Sequence, residues 1–163
     1  MSTTDDPLLL LAQRLGAAAL ARSATIATAE SCTGGLVAGA ITAIAGSSAW
    51  FERGFVTYSN LAKEEELGVS ASTIERFGAV SEETARAMAE GAIRASSADW
   101  AVAVTGIAGP DGGSAEKPVG TVWFAWAGPG HLEAVRRQFD GDRSAVRGAS
   151  VHVALEGLIG RLA

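Results

Sequence analysis

A short β-type run, Ala24-Thr25-Ile26-Ala27, leads straight into Thr28-Ala29-Glu30-Ser31-Cys32-Thr33-Gly34-Gly35, and an apolar run follows from Leu36 to Ile44. This order constrains the chain more than any other stretch. It predicts a strand, a tight turn and a helix, with the turn at the lip of a sheet. Glycine lets backbone N–H groups approach a substrate closely, and a helix N-terminus favours negative charge. Ser31 is the candidate nucleophile, with Gly34 and Gly35 the residues that would bring backbone N–H groups close to a substrate. The pattern points to acyl-transfer chemistry, and it also fits a plain strand-turn-helix.

The remaining elements follow from spacing. Asp6-Pro7 is a helix start with a capping carboxylate and proline at the first helical position. Apolar residues at helical spacing extend that helix from Pro7 to Ala21. A strand is expected over Thr25–Ala29, then a helix from Leu36 ending near Gly46, a second strand over Phe55–Tyr58 and a short helix over Asn60–Leu67 capped by Asn60. Ser81 is the expected cap of a helix carrying Ala85, Met88, Ala89, Ala92 and Ile93 on one stripe. Trp100–Val104 reads as a buried central strand. Val119–Ala127 and Leu132–Phe139 read as an antiparallel hairpin about Gly128-Pro129-Gly130, and the last helix as Asp142–Leu162. Early alternation of strands and helices with a late hairpin predicts an α/β fold: a single-domain three-layer α/β/α sandwich with a mixed sheet, spanning residues 1–163.

Composition narrows the function classes. A chain of 163 residues, 48% hydrophobic, is expected to fold around a real core. No apolar run reaches the roughly 20 residues of a membrane span, and Leu8–Leu11 behind Asp5 and Asp6 is too short for a secretory signal. One cysteine, Cys32, excludes an internal disulfide. Together these give a cytoplasmic expectation. A net charge of −5 argues against general nucleic-acid binding, though a small phosphorylated ligand needs only a local basic cluster.

A serine needs a base. The two histidines, His131 in the hairpin turn and His152 within the last helix, have no evident carboxylate partner. Ala29 and Thr33 stand where a Gly-x-Ser-x-Gly elbow has glycines, which disfavours a Ser-His-Asp triad. A lysine can serve instead. Lys63, in the first turn of the expected short helix, faces the positive dipole end, which favours the neutral amine. From the residues alone it reads more readily as a surface lysine ahead of Glu64-Glu65-Glu66. Tyr58 either assists a proton or packs in the sheet, and Cys32 is either a rival nucleophile or a small packing residue.

Two further constellations stand out. Thr105-Gly106-Ile107-Ala108-Gly109, continuing to Gly112 and Gly113, follows a buried strand at the end where open α/β sheets bind ligands. It either presents successive N–H groups to an anion or is a long glycine-rich turn. It is neither a Walker A loop nor a dinucleotide fingerprint. Arg143 and Arg147 share a face at the start of the last helix, for a phosphate or for nearby carboxylates. Nothing has metal-ligand spacing; Glu30 and Asp111 are isolated carboxylates.

These motifs, in this order, resemble the CinA carboxy-terminal domain family, the nicotinamide mononucleotide deamidases. The matching stretches are Thr28–Gly35, Tyr58-Ser59-Asn60 with Lys63, Gly78–Ser81, Thr105–Gly113 with Lys117–Val122, and Phe139–Arg143 with Arg147. The resemblance runs from about Leu8 to Leu162. It implies hydrolysis of the carboxamide of nicotinamide mononucleotide in pyridine nucleotide recycling, without metal or cofactor. Ser31 would be the nucleophile, Lys63 its base and Tyr58 an assistant, with the N–H groups of Cys32, Thr33, Gly34 and Gly35 as oxyanion donors and with Asn60 and the Thr105–Gly113 loop contacting ligand. Arg143 and Arg147 as phosphate partners are an inference from charge. A homo-oligomer is expected. The alternatives are an amidohydrolase for another small amide and a non-catalytic nucleotide-binding or interaction module. Longer members carry an additional amino-terminal domain, whose activity is not assigned to these residues.

Overall fold

The computed structural model describes residues 5–163. The chain runs α1 (Pro7–Ala21), β1 (Ile26–Glu30), α2 (Leu36–Thr42), a 3-10 turn (Ser47–Ala49), β2 (Phe51–Val56), α3 (Asn60–Leu67), α4 (Ala71–Phe77), α5 (Glu82–Arg94), β3 (Trp100–Gly106), β4 (Thr121–Gly128), β5 (His131–Gln138) and α6 (Arg143–Leu162). The five strands form one sheet in the order β2-β1-β3-β4-β5. β1 pairs parallel with both neighbours, and β3-β4 and β4-β5 pair antiparallel. This is the expected mixed-sheet α/β/α sandwich.

The sheet's two faces differ in size. Side chains alternate across a strand, and here the alternation is large against small. Ile26, Val102, Val104, Val122, Phe124 and Trp126 form the core shared with α1, α2 and α6. Ala27, Ala29, Ala101, Ala103, Ala125 and Ala127 line the opposite face, together with the Met88, Ala89 and Ala92 stripe of α5. An alanine-lined face lets α5 lie close to the backbone of the sheet. The uninterrupted apolar run at Trp100–Val104 therefore serves two different layers. Among the described residues, no helix is long and apolar enough to cross a membrane.

Register decides where chemistry can sit. β1 and β3 align Ile26 with Trp100 through Glu30 with Val104, so their C-terminal ends are level. Ser31 N–H donates to Val104 O at 2.9 Å, and Thr57 N–H donates to Glu30 O at 2.8 Å. The segments leaving β1, β2 and β3 thus meet at one edge, the usual ligand edge of an open α/β sheet.

Several boundaries differ from the sequence expectation. α2 stops at Thr42, whose hydroxyl bonds back to Ala38 O. β2 begins at Phe51 rather than Phe55 and stops at Val56. It is an edge strand, where Glu52 and Arg53 neutralise each other at 2.8 Å. α3 is capped by Ser59, which accepts from Ala62 N–H, and not by Asn60. α4, with only Ile74 buried, is an element the sequence spacing does not announce.

Two glycines of α6 should respond oppositely to alanine. A Cβ at Gly157 would run into the Trp126 indole, whereas one at Gly160 meets nothing within 4 Å. Overpacking costs about 1–3 kcal/mol, while alanine in an open helix position gains up to ~1 kcal/mol. Gly157→Ala should therefore lower the midpoint of urea unfolding and Gly160→Ala should raise it.

Candidate active site

The lysine and serine proposed from sequence touch. Lys63 is 1% exposed, and its Nζ donates to Ser31 Oγ at 3.0 Å. The β2–α3 connection wraps carbonyls around the same nitrogen: Thr57 O at 2.8 Å, Tyr58 O at 3.3 Å and Ser59 O at 3.4 Å. Ser59 is the cap of α3 and Lys63 N–H makes that helix's bond back to Ser59 O, so the cap that starts the helix also positions the lysine. Among the described residues no carboxylate pairs with it. Burial lowers the Lys63 pKa from 10.5 to about 8. As a neutral amine, Lys63 keeps two N–H groups for carbonyls and turns a lone pair to the Ser31 hydroxyl.

Around this pair lies a cleft of about 270 Å³ lined by Ser31, Cys32, Tyr58, Asn60, Lys63, Ala79, Val80, Thr105, Gly106, Ala108 and Arg143. The turn at Ser31 provides free donors. Gly34 N–H is spent on Ser31 O, but among the described residues the N–H groups of Cys32 and Thr33 have no partner. The Cys32 amide directly follows Ser31, the position from which a backbone donor meets an oxyanion. Burial pushes the Cys32 thiol up to about 11, so it stays protonated and unreactive at neutral pH.

The other predicted residues divide. Thr105, Gly106 and Ala108 reach the cleft, whereas Gly109 lines an adjoining one of about 650 Å³ with Pro110, Asp142, Arg143, Ser144 and Arg147. Ile107 spends its N–H on Thr121 O and its carbonyl on Gly120 N–H. Gly112 and Gly113 line neither cleft. Thr33 is fully buried with its hydroxyl on Glu30, and Gly34 and Gly35 also lie outside both clefts. Tyr58 acts at the rim: its phenol accepts from Arg143 Nη2 at 3.2 Å, while its carbonyl faces the lysine. Arg143 Nη1 donates to Gly109 O at 2.9 Å, bridging the mouth. Arg147 donates to Cys32 O at 3.1 Å and Thr33 O at 3.4 Å, so it holds the turn after Ser31. Neither arginine forms an ion pair among the described residues.

Ala79 and Val80 were not singled out as lining residues. Thr105 Oγ1 donates to Ala79 O at 2.8 Å, Ser81 and Thr84 hydroxyls bond Gly78 O, and Lys117 Nζ donates to Phe77 O at 2.8 Å. The motifs at Gly78–Ser81 and Lys117 thereby fasten one wall of the cleft. Their signal was position, just ahead of the Ser81 cap. The histidines lie elsewhere: His131 accepts from Arg161 and packs on Trp100, and His152 sits on the outer side of α6 with Glu156.

A CinA C-terminal domain model matches residues 9–162. The chain belongs to the CinA C-terminal domain family. It is 63% identical over 138 residues to the nicotinamide-nucleotide amidohydrolase PncC of Enterobacter agglomerans, covering 84% of each chain. It is 58% identical over 156 residues to the PncC of Escherichia coli K12, covering 95% of this chain and 94% of that one. Its fold superposes on the competence/damage inducible protein CihA of Agrobacterium tumefaciens with a TM-score of 0.93 at 51% identity, covering 98% of both chains. Family and fold both agree with the resemblance seen in the motifs.

The thiol gives a direct check on which group of the turn is the nucleophile. Cys32→Ala should keep turnover within a few-fold of wild type, and iodoacetamide should leave native Cys32 unmodified at pH 8. Loss of turnover in Cys32→Ala on the scale of Ser31→Ala would move the nucleophile to the cysteine.

Proposed function

We propose that this CinA-family chain hydrolyses the carboxamide of nicotinamide mononucleotide to nicotinate mononucleotide and ammonia, with Ser31 as nucleophile and Lys63 as base. The observation that carries the reading is the 3.0 Å contact of buried Lys63 Nζ with Ser31 Oγ. Relatives named nicotinamide-nucleotide amidohydrolase that align over most of the chain support the substrate.

Each step has a group within reach. The Lys63 amine takes the Ser31 hydroxyl proton, and Oγ bonds to the amide carbon. The charge that develops on the carbonyl oxygen meets the Cys32 N–H. As the C–N bond breaks, the Lys63 ammonium returns its proton to the leaving nitrogen and ammonia departs. A water then gives a proton to Lys63 as its oxygen bonds to the acyl carbon; the Lys63 ammonium passes that proton to Ser31 Oγ as the acyl C–Oγ bond breaks, and the product acid loses its remaining proton to solvent to leave as the carboxylate. The pyridinium ring makes the amide carbon electron-poor, which suits a serine-lysine pair.

The two adjoining clefts share Ala108 and Arg143. This supports an extended ligand, with the amide beside Ser31 and the phosphate beside Arg143 and Arg147 at the start of α6. Tyr58 then assists through Arg143, and Asn60 closes the mouth. The reading places the protein in pyridine nucleotide recycling in the cytoplasm, where a lone buried thiol stays reduced. It also includes a homo-oligomer, supported by the exposed apolar side chains Leu36, Val56, Tyr58 and Leu61 near the open edge of β2.

Ammonia release from nicotinamide mononucleotide tests the reaction. Ser31→Ala should fold with an unchanged unfolding midpoint and lose turnover by about 10³-fold or more. Near wild-type turnover in that variant would remove the serine from the mechanism, and release from other small amides only would replace the substrate.

Protonated Lys63 cannot act as base, so kcat should fall as pH drops through about 8 and level off above it. Lys63→Arg, which stays charged, should be inactive throughout. A kcat flat from pH 6 to 9 would contradict the assignment.

Arg143→Ala should raise KM for the nucleotide about 10-fold or more, the worth of a charge-assisted hydrogen bond, and raise KM for the dephosphorylated riboside by much less. Equal effects on both would place the phosphate elsewhere.

A further inference from the structure

Glu30 is a charged side chain that the mechanism leaves unused. It is 1% exposed, directly precedes Ser31 and ends β1. Its Oε1 accepts from Thr33 Oγ1 at 2.6 Å and from Val37 N–H at 2.9 Å, and its Oε2 accepts from Ala38 N–H at 3.0 Å. The N-cap of α2 is Gly35, which has no side chain to cap the helix. The capping acceptor comes instead from the strand before the turn, so one carboxylate ties the end of β1, the nucleophile turn and the first turn of α2 together.

The chemistry of this contact is specific to a carboxylate. All three partners are donors, and they approach both oxygens. An amide of the same shape would supply one oxygen and one NH₂ group. Whichever way it turned, N–H would face N–H in a buried site, which is costly. The opposite side of the turn is held in complementary fashion, since Arg147 donates to the Cys32 and Thr33 carbonyls. Glu30 gathers the segment's donors and Arg147 its acceptors. Between them, Ser31 is left with its hydroxyl between Lys63 Nζ at 3.0 Å and Tyr58 O at 3.5 Å, and Cys32 with a free N–H.

We propose that Glu30 is a positioning residue that holds the Ser31–Gly35 turn in its reactive geometry through Thr33 and the first amides of α2. It acts on Ser31 and the Cys32 amide through the backbone. It has no hydrogen bond to Lys63, whose Nζ is surrounded by Ser31 Oγ and three carbonyls. Losing Glu30 should therefore misplace the nucleophile and leave the base and the ligand-binding walls as they are. Misplacement of a reacting group by about 1 Å costs on the order of 100-fold in rate.

The proposal rests on the amidase reading, so its test has an arm independent of turnover. Crystal structures of Glu30→Gln and of Thr33→Val, which removes one of the three donors with little change of shape, report the Ser31 Oγ to Lys63 Nζ distance directly. The expected result is a shifted turn, with that distance lengthened from 3.0 Å to beyond hydrogen-bond reach in Glu30→Gln and by less in Thr33→Val. In the assay, at a temperature where both variants are fully folded, kcat should fall about 10- to 100-fold for Glu30→Gln. Thr33→Val should show a smaller fall. KM should stay within about 3-fold of wild type, and the acid limb of kcat near pH 8 should not move. An unmoved turn with the dyad contact intact would overturn the proposal, as would a rise in KM at constant kcat or a displaced acid limb. If Glu30→Gln does not fold, Thr33→Val decides by the same criteria. A wild-type protein that releases no ammonia would defeat the amidase reading alone, and the crystallographic distances would still judge Glu30.

Discussion

The contact on which the rest of this structure depends is a buried amine against a hydroxyl. Lys63 Nζ sits 3.0 Å from Ser31 Oγ with carbonyls for its other partners and no carboxylate in the ring around it. Burying a lysine without a counter-charge is unfavourable. Here that penalty is what makes the amine able to accept a proton near neutral pH, because it lowers the pKa to about 8. A salt bridge in the same place would have stabilised the ammonium and raised that pKa. On the proposed mechanism the site thus trades local stability for a usable proton acceptor.

The fold supplies the partners from three separate strand ends. Parallel pairing of β1 with β2 and β3 brings Ser31, Thr57–Ser59 and Thr105 to one edge. The alanine-lined face under α5 and the bulky face under α1, α2 and α6 hold the sheet between layers of different thickness. The two helix starts at the site have different duties. α3 begins with a cap that also delivers a carbonyl to Lys63, and α6 begins with Arg143 and Arg147 spanning the mouth and the nucleophile turn.

Much of this was legible in the amino-acid order because local chemistry coincided with periodicity. Asp6-Pro7 marked the start of α1, the spacing from Ser81 marked α5, and the turn at Ser31 stood out by its glycines. The Ser31 and Lys63 pairing needed the motif order, since 32 positions separate them and the glutamates after Lys63 suggest a surface helix. β2 was displaced in the reading because Glu52-Arg53-Gly54 looks unlike a strand, yet an open edge tolerates charges that pair with each other. α4 was missed because one buried residue leaves no periodic signal. The role of Glu30 was hidden because its partners are backbone amides of the next helix, which no side-chain pattern records.

The most direct test of the central claim is a 15N NMR titration of the Lys63 side-chain nitrogen in the wild-type protein, assigned by its absence in Lys63→Arg. The account requires a midpoint near 8 and a resonance perturbed in Ser31→Ala. A midpoint at the ordinary lysine value of about 10.5, indifferent to Ser31, would contradict it.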